Sequence, residues 1–470
     1  MNSREQFKRV IMFFDSLILV ALVVASFGLL WSGYYNLTII DNPFFRKGNY
    51  LLVAVYTLVY VLFGASFSSF KVGYSKPMGL IGSQTLALIV TNVVTYLQIS
   101  LIGRGFVPVA PLVILTLVDI GYAAVWAMCS SVIYRRIYPA RKMIIVYGSQ
   151  SARDLVVKMS SRVDKYIICS SISSSEDLDT IKEKIQEYEA VIICDVPAEK
   201  RSKILKFTFE RSIRTYINPK LSDIIVRGAD EFHMFDTPLL LARNQGLSFE
   251  QKFLKRSIDI IGSLAAIILT SPLMLIAAVA IKLYDRGPVL YKQERLTEDR
   301  RTFNVWKFRS MIQDAEKDGV ARLSTEHDSR ITPIGKIIRK CRLDELPQFF
   351  NILAGDMSFV GPRPERPEIA RQYEETMPEF AFRLKVKAGL TGFAQVFGKY
   401  NTTPYDKLKL DLMYIQRHSL ALDFRIMLMT LKTVFIPDST EGIAQGAVTA
   451  LPEEQAEKQE FPTEKEAEKE

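Results

Sequence analysis

Two adjacent carboxylates, Asp344 and Glu345, stand just before Pro347 in the sequence. Proline has no N–H, so a helix can hold it only in its first turn. Apolar residues recur beyond it at helical spacing, and Gly355 marks a C-terminal stop. The sequence therefore predicts both carboxylates at the positive end of a helix, which favours their ionised forms. Such a carboxylate is a candidate nucleophile or metal ligand, although a lone Asp-Glu-x-Pro more often marks a plain helix cap.

Basic side chains are concentrated in the segments on either side of this pair. Lys307 and Arg309 alternate with Trp306 and Phe308, which is typical of a half-buried strand with one basic face. Arg363 stands between two prolines, which stiffen its backbone and fix the direction of the guanidinium. Arginine binds phosphate oxygens through two parallel hydrogen bonds. The pattern therefore favours a site for a pyrophosphate over a merely solvated charged surface.

The composition indicates a membrane protein. The chain has 470 residues, 49% of them hydrophobic, and its mean hydropathy is positive. The net charge of +9 suits an anionic partner such as a membrane surface, a nucleotide or a lipid phosphate. A nucleic acid would fit the charge alone, but the chain has no nucleic-acid motif. Four scattered cysteines without a CxxC pair indicate free thiols, and three distant histidines argue against a histidine metal site.

Four hydrophobic stretches open the chain, at residues 10–31, 50–65, 79–102 and 106–134. The first lacks a small-residue cleavage site and is too long for a signal core, so it reads as a retained span. Basic residues precede the first stretch, follow the fourth and occupy the loop between the second and third. The positive-inside rule therefore predicts that both ends of this bundle lie in the cytoplasm.

Residues 141–245 read as a small α/β domain. A strand at 143–147 runs into Gly148 and then into a helical pattern, and further strands are predicted at 166–170 and 190–196. A strand leading through glycine into a helix is where a dinucleotide could bind. The sequence after this strand lacks two of the three glycines of the G-x-G-x-x-G fingerprint. An empty or regulatory Rossmann-like module is therefore favoured over a cofactor site.

A fifth hydrophobic stretch covers residues 260–283. Its helix would be about 33 Å long, so length alone permits a full crossing. Ser271 and Pro272 lie at its centre, where proline breaks the hydrogen-bond ladder and the serine hydroxyl can satisfy a freed carbonyl. Basic residues on both flanks favour a helix that enters and leaves by the same face. The alternative is a conventional fifth span, which would place the two cytoplasmic parts on opposite sides.

Several ordered motifs accompany the Asp-Glu segment. They are Gly287-Pro288, the run from Lys307 to Met311, the run from Asn351 to Glu365 and the run from Gly389 to Val396. Together, from about residue 253 to 437, they closely resemble the catalytic domain of the bacterial sugar transferases, that is, the polyprenyl-phosphate glycosyl-1-phosphate transferases. The whole layout resembles the large, multi-span branch of that family.

The resemblance and the hydrophobic pattern together predict a membrane protein of mixed α and α/β class. It has a four-helix transmembrane bundle at 1–140, a cytoplasmic Rossmann-like domain at 141–245, a mainly helical, monotopic catalytic domain at 246–437 and a disordered acidic tail at 438–470. Within the catalytic domain, the resemblance implies a re-entrant membrane helix at 257–284 that is broken at Ser271 and Pro272. The expected location is the bacterial inner (cytoplasmic) membrane, with the catalytic domain on the cytoplasmic side.

The resemblance also implies the chemistry. A sugar-1-phosphate would pass from a UDP-sugar to polyprenyl (undecaprenyl) phosphate with release of UMP, the first membrane step of exopolysaccharide, capsule or O-antigen synthesis. Asp344 would attack the β-phosphorus to give an aspartyl-phosphosugar intermediate, and Glu345 would bind Mg²⁺. Phosphate binding is assigned to four basic residues: Lys307, Arg309, Arg339 and Arg363. Large members of the family imply a homodimer.

Two alternative functions are kept beside this one. A membrane glycosyltransferase would move the sugar alone and release UDP instead of UMP. A non-catalytic scaffold of polysaccharide assembly would use its Rossmann-like module to sense a ligand. The combination of Asp344, Glu345, Lys307 and Arg363 argues against the scaffold, which has no need of it.

Overall fold

The computed structural model describes residues 3–148, 151–160, 162–242, 246–312, 330–398 and 402–435. Its contacts divide the chain into two compact units, with the boundary between Asn218 and Pro219. Each unit has its own buried hydrophobic core. The acidic tail predicted at 438–470 lies outside the described residues.

Five helices in the described part of the chain are long and apolar enough to cross a membrane. They are Phe7–Thr38, Arg46–Ser66, Pro77–Ile102, Ala110–Ile137 and Phe249–Tyr284. The first comprises α1 (Ser3–Leu30), a π-helical turn at Trp31–Tyr35 and the short α2 (Asn36–Thr38). The next three correspond to α3 (Arg46–Ser66), α4 (Pro77–Ile102) and α5 (Ala110–Ile137). The chain is therefore a membrane protein, as its composition predicts.

The four membrane-length helices of the first unit are connected in a ring, mostly through polar side chains. The hydroxyl of Tyr56 on α3 donates to Asn92 Oδ1 on α4 at 3.1 Å, and Asn92 Nδ2 donates to Thr116 Oγ1 on α5 at 2.7 Å. Ser26 on α1 donates to Asp119 Oδ1 on α5 at 2.7 Å, and α1 also packs against α3. The α1, α3, α4 and α5 helices thus pack around a partly polar interior.

A parallel four-stranded sheet follows the helices, with the strand order β2-β1-β3-β4. Its elements are β1 (Arg141–Tyr147), α6 (Ser151–Ser160), β2 (Tyr166–Ser173), α7 (Leu178–Gln186), β3 (Ala190–Cys194), α8 (Ala198–Glu210) and β4 (Arg214–Ile217). Ile144 and Val146 pack into one hydrophobic cluster, whereas Met143 and Ile145 pack into another on the opposite face. Burial on both faces explains why β1 reads as a continuous apolar run. The predicted α/β character of this region is confirmed.

The second unit is mainly helical. Its elements are α9 (Leu221–Arg227), β5 (Asp230–Met234), β6 (Thr237–Leu241), α10 (Phe249–Asp285), β7 (Leu290–Leu296), β8 (Thr302–Phe308), α11 (Pro333–Lys340), α12 (Gln348–Ala354), β9 (Ser358–Val360), α13 (Pro367–Thr376), β10 (Gly389–Thr391), α14 (Phe393–Phe397), α15 (Pro404–Gln416) and α16 (Leu420–Phe435). The β5–β6 and β7–β8 pairs are antiparallel, and β9–β10 is parallel.

The core of this unit joins helices that are distant in sequence. It contains Ile224 from α9, Tyr373 from α13, Leu408 and Leu412 from α15 and Ile426 from α16. By these contacts α9 groups with the second unit, although the sequence places it in the middle domain.

Helix α10 runs without interruption through the predicted break. Pro272 cannot donate to the carbonyl of Ile268 one turn before it, and the hydroxyl of Ser271 donates to that carbonyl at 2.8 Å instead. The helix begins with a capping box, in which Ser248 and Gln251 exchange hydrogen bonds with each other's backbone N–H. The serine hydroxyl therefore satisfies the freed carbonyl, as predicted. However, Ser271 and Pro272 lie inside one continuous helix rather than between two helices.

Candidate active site

The carboxylate pair lies in a tight turn between two helices. Arg342 adopts the left-handed conformation (φ 55°), and Asp344 and Glu345 follow in a 3₁₀ turn. Pro347 then leads into α12, which ends at Gly355 (φ 98°). The predicted C-terminal stop is confirmed, and the pair stands in the turn just before the N-terminal end of α12. Among the described residues, no side chain caps this turn or the start of α12, so the plain helix-cap interpretation of Asp344 is not supported.

Glu345 is held by arginines. Its Oε1 accepts from Arg363 Nη2 at 3.1 Å and lies 3.9 Å from Arg342 Nη1. Burial disfavours the charged form, but Arg363, Lys307 and Arg342 outweigh it and keep the pKa of Glu345 below its ordinary value. Glu345 is therefore ionised at neutral pH.

Asp344 has a different environment. Among the described residues, no hydrogen bond or ion pair reaches its carboxylate. Burial and the neighbouring Glu345 raise the pKa of Asp344, whereas Lys307, Arg339 and Arg342 lower it in part. The two carboxylates thus differ in role: one is fixed by ion pairing, and the other keeps its oxygen atoms available for a reacting group.

Lys307 lies on β8 and interacts with both carboxylates. Burial lowers its pKa to about 8, with Arg363 and Arg295 acting in the same direction and the two carboxylates opposing them. A lysine with this pKa is still largely charged at neutral pH. It places a cation beside Asp344 and Glu345, as a phosphate-binding residue requires.

The segment that carries Arg363 is fixed along its whole length. Pro362 and Pro364 have no N–H to satisfy, and the four carbonyls of 362–365 each accept one hydrogen bond. The donors are, in order, Gly389 N, Arg383 Nη2, Arg295 Nη1 and Leu296 N. The sequence predicts a stiff backbone at Arg363 from the prolines alone. The structure adds the reason that the segment stays in place.

Arg383 is the buried anchor of this segment. Its side chain is 4% exposed, its Nη2 lies 2.8 Å from Asp411 Oδ2 in an ion pair, and the same Nη2 donates to the carbonyl of Arg363 at 3.0 Å. Its Nη1 lies 3.5 Å from Glu365 Oε1. Removing one member would leave a buried charge unpaired.

The α11 helix brings Arg339 to the site. Thr332 caps this helix by accepting from Gly335 N at 2.9 Å, and its own N–H donates to the carbonyl of Ser310 at 3.1 Å. The start of α11 is thereby tied to the end of β8. Near the other end of the helix, the charge of Arg339 lowers the pKa of Asp344.

Arg309 is placed differently from the other predicted phosphate-binding residues. Its side chain is buried, and its guanidinium lies against Gly287, where a Cβ atom would collide with it. The structure therefore brings Lys307, Arg339 and Arg363 to the carboxylate pair and directs Arg309 toward the Gly287 turn.

The C-terminal end of α12 is held by the long apolar helix α10. Arg256 donates through Nη1 to the carbonyl of Ile352 and through Nη2 to that of Leu353, both at 2.7 Å. The backbone N–H of Gly355 also donates to the carbonyl of Ile352, at 3.1 Å, and a cation suits the negative end of a helix. α10 therefore helps to fix the element that follows the carboxylate pair.

Sequence reasoning gave no role to Arg342, Arg383, Asp411 or Asn351, all of which position the site. Arg342 and Arg383 are ordinary basic residues in the sequence, and the contacts of Arg383 and Asn351 join distant segments. The left-handed backbone of Arg342 has no sequence signal either, because glycine usually marks such a position.

A magnesium ion fits the residues present. Among the described residues, no group of three or more His, Cys, Asp or Glu could hold a metal ion. Mg²⁺ is commonly bound by one or two carboxylates together with substrate phosphates and water. Asp344 and Glu345 supply such a pair, with the Asp344 oxygens unengaged by the described residues.

Most of the second unit is similar in sequence to known proteins. A family model described as bacterial sugar transferase matches residues 250–437. A UDP-N-acetylgalactosamine-undecaprenyl-phosphate N-acetylgalactosaminephosphotransferase from Aeromonas hydrophila is 45% identical over 185 residues, which is 39% of this chain and 44% of that protein. An undecaprenyl-phosphate glucose phosphotransferase from Komagataeibacter xylinus is 34% identical over 314 residues, 62% of this chain and 59% of that protein.

The match thus spans about half the length of these two relatives. A shorter relative is covered almost completely: the exopolysaccharide production protein PSS from Rhizobium leguminosarum bv. phaseoli is 40% identical over 186 residues, 38% of this chain and 92% of that protein. The motifs around Asp344 and Glu345 lie within the matched residues. The chain therefore belongs to the bacterial sugar transferase family.

Proposed function

We propose that this protein transfers a sugar-1-phosphate from a UDP-sugar to polyprenyl phosphate and releases UMP. The observation that carries the proposal is the asymmetric carboxylate pair. Glu345 is fixed by Arg363, whereas Asp344 is buried beside Lys307 with its oxygens unengaged by the described residues. Two of the relatives are named as undecaprenyl-phosphate sugar phosphotransferases, and these names describe the same chemistry.

The geometry supports a two-step displacement. An Asp344 oxygen attacks the β-phosphorus of the UDP-sugar, and the bond from that phosphorus to the bridging oxygen breaks, so that UMP leaves. A phosphate oxygen of the lipid then attacks the same phosphorus, and the bond to Asp344 breaks. The lipid diphosphate sugar is released, and the carboxylate is restored. Covalent catalysis divides one displacement between two polyanions into two separate steps.

Cations on three elements support both steps. Lys307 on β8, Arg339 on α11 and Arg363 after β9 surround the pair, and each step places negative charge on phosphoryl oxygens. Their positive charge stabilises those oxygens. A bound Mg²⁺ would supply further charge neutralisation, with Glu345 as its ligand and Asp344 beside it.

Glu345→Gln is expected to raise the Mg²⁺ concentration required for half-maximal UMP release by at least about tenfold, because a metal site loses a charged ligand. The measurement is a magnesium titration of UMP release. Glu368→Gln, which alters an exposed carboxylate on α13, is the matched control. An unchanged magnesium titration in Glu345→Gln would contradict the assignment of this residue as the metal ligand.

The four membrane-length helices of the first unit are proposed to form a transmembrane bundle in the bacterial cytoplasmic membrane. The Arg162 guanidinium, which follows α6, donates to the carbonyls of Gly73 and Tyr74 in the loop between α3 and α4. That loop therefore lies on the same side as the sheet domain, as an even number of crossings requires. Basic residues flank this side, which favours the cytoplasm.

Helix α10 is proposed to re-enter the membrane instead of crossing it. Basic residues stand before and after it, and Pro272 removes one rung of its hydrogen-bond ladder at mid-length. In this arrangement the residues on both sides of the helix, the UDP-sugar and Asp344 share the cytoplasm. The head group of polyprenyl phosphate would reach the site at the membrane surface.

A homodimer is proposed on the basis of an exposed hairpin. Every residue of β5 and β6 is exposed, including the apolar Phe232 and Leu240, and Phe235 at the turn is 98% exposed. A two-stranded hairpin is marginally stable in water, and its edges can pair with another chain. A second copy would cover it. We expect the detergent-solubilised protein to have the mass of two chains by light scattering, whereas the mass of one chain would contradict the dimer.

The test of the proposed function uses the purified full-length protein. It is incubated with polyprenyl phosphate, Mg²⁺ and a panel of UDP-sugars, and the nucleotide product is identified. Release of UMP that depends on the lipid supports the proposal. Release of UDP would indicate transfer of the sugar alone, and the absence of both products with every sugar would favour a scaffold.

A further inference from the structure

Asn351 makes two hydrogen bonds that join α12 to β8. Asn351 lies on α12, and only 4% of the residue is exposed. The Oδ1 atom accepts from the backbone N–H of Trp306 at 3.0 Å, and Nδ2 donates to the backbone carbonyl of Asn304 at 2.8 Å. The carboxamide therefore uses one acceptor and one donor on two backbone groups of the same strand.

The Asn351 carboxamide binds the outer edge of β8 in the way that a neighbouring strand would. Within the described residues, β8 pairs with β7 alone, so its other edge has no backbone partner. The carbonyl of one strand residue and the N–H of the residue two positions later point to the same side, where a neighbouring peptide group would normally bind both. The carboxamide of Asn351 takes that place. A carboxylate would lack the donor, and a hydroxyl would be too short to span both groups.

The two joined elements carry the main groups of the candidate site. Lys307 follows Trp306 directly on β8, whereas α12 begins three residues after Glu345. Lys307 interacts electrostatically with Asp344 and Glu345. The separation of this cation from the carboxylate pair therefore depends on how β8 sits against α12. Apolar contacts of Phe303 and Val305 with Ile352 also hold these elements together, but such contacts are non-directional and do not fix the register of the strand.

We propose that Asn351 is a positioning residue that holds Lys307 beside Asp344 and Glu345, and that it thereby sets the affinity for the pyrophosphate of the substrate. The inference rests on the proposed function, because it assumes that Lys307 binds a nucleotide phosphate. Asn351 itself touches no substrate. Its influence passes through the strand that carries the lysine.

The experiment is a double-mutant cycle on UDP binding, measured by calorimetry on the full-length protein with Mg²⁺. Asn351→Leu keeps the approximate shape of the side chain and removes both hydrogen bonds. We expect it to weaken UDP binding about tenfold, the effect of losing one well-placed hydrogen bond to a charged group. In the Lys307→Met background, the same change should weaken binding less than about twofold, because the residue through which it acts is gone.

A matched control separates positioning from general stability. Ile352→Val removes a buried methylene from the next residue of α12, so it lowers Tm without affecting the carboxamide. It should leave UDP affinity unchanged. Asn351→Ser, which is too short for both bonds, serves if Asn351→Leu does not fold.

The inference is overturned if the Asn351 variant binds UDP as tightly as the wild type. It is also overturned if the variant weakens binding equally in both Lys307 backgrounds, or if Ile352→Val weakens binding to the same extent. The proposed function is checked separately by UMP release from the wild-type protein. If the wild-type protein releases no UMP, the proposed function is refuted. If it releases UMP but the effects of the Asn351 and Lys307 changes on UDP binding are additive, only the role of Asn351 is refuted.

Discussion

Asp344→Asn is expected to reduce UMP release to below a few per cent of the wild-type rate and to leave the fold intact. The amide has nearly the shape of the carboxylate but cannot attack phosphorus. No hydrogen bond or ion pair to Asp344 is lost, because none reaches its carboxylate among the described residues. The measurement is the initial rate of UMP release at saturating substrates, together with Tm.

The control for this variant is Glu368→Gln, which neutralises an exposed carboxylate on α13 and should keep the wild-type rate. An Asp344→Asn protein that retains more than a few per cent of the activity would exclude this residue as the attacking group. A large fall in Tm would show instead that Asp344 is needed for folding.

Replacement of Ser271-Pro272 by Ala-Leu is expected to abolish UMP release from intact membranes. The substitution restores the backbone N–H at position 272, which can then donate to the carbonyl of Ile268, and it lengthens the apolar run. Helix α10 has 37 residues, which is long enough to cross a bilayer. The catalytic part would then be driven to the far side of the membrane or left misfolded.

Cysteine accessibility in intact cells tests the topology directly. Reporter positions must be exposed, which excludes Glu298, because this residue is buried and pairs with Lys252 at 2.8 Å. Single cysteines are placed at two exposed positions in a protein without its native cysteines: Glu250 in the first turn of α10 and Glu294 on β7, beyond its end. Both should resist a membrane-impermeant reagent in the wild-type background. Labelling at Glu294 alone would show that the helix crosses.

The sequence predicts well what depends on local pattern. Apolar runs mark the long helices, the buried run at 143–146 marks the central strand, and Gly355 marks the end of α12. The hydroxyl of Ser271 satisfies the carbonyl freed by Pro272, as expected from the chemistry of a Ser-Pro pair. Each of these features is set by residues within one or two turns of each other.

Features that depend on distant contacts could not be predicted. The Arg383–Asp411 pair, the Asn351 bridge to β8 and the Arg256 cap of α12 all join residues that are far apart in the chain. The split between a fixed Glu345 and an unengaged Asp344 has the same cause, because it depends on where Arg363 lies after folding. From residue types alone, it is not possible to tell which of the two carboxylates is held in an ion pair.

The most direct test of the account is to follow the β-phosphorus. The wild-type protein is mixed with a UDP-sugar labelled at that atom, with Mg²⁺ but without lipid, and is quenched rapidly. The account predicts one UMP released for each label bound to protein, with the label on the peptide that contains Asp344, and transfer of that label to lipid when polyprenyl phosphate is added. Label that reaches the lipid without ever being bound to the protein, or release of UDP in place of UMP, would contradict it.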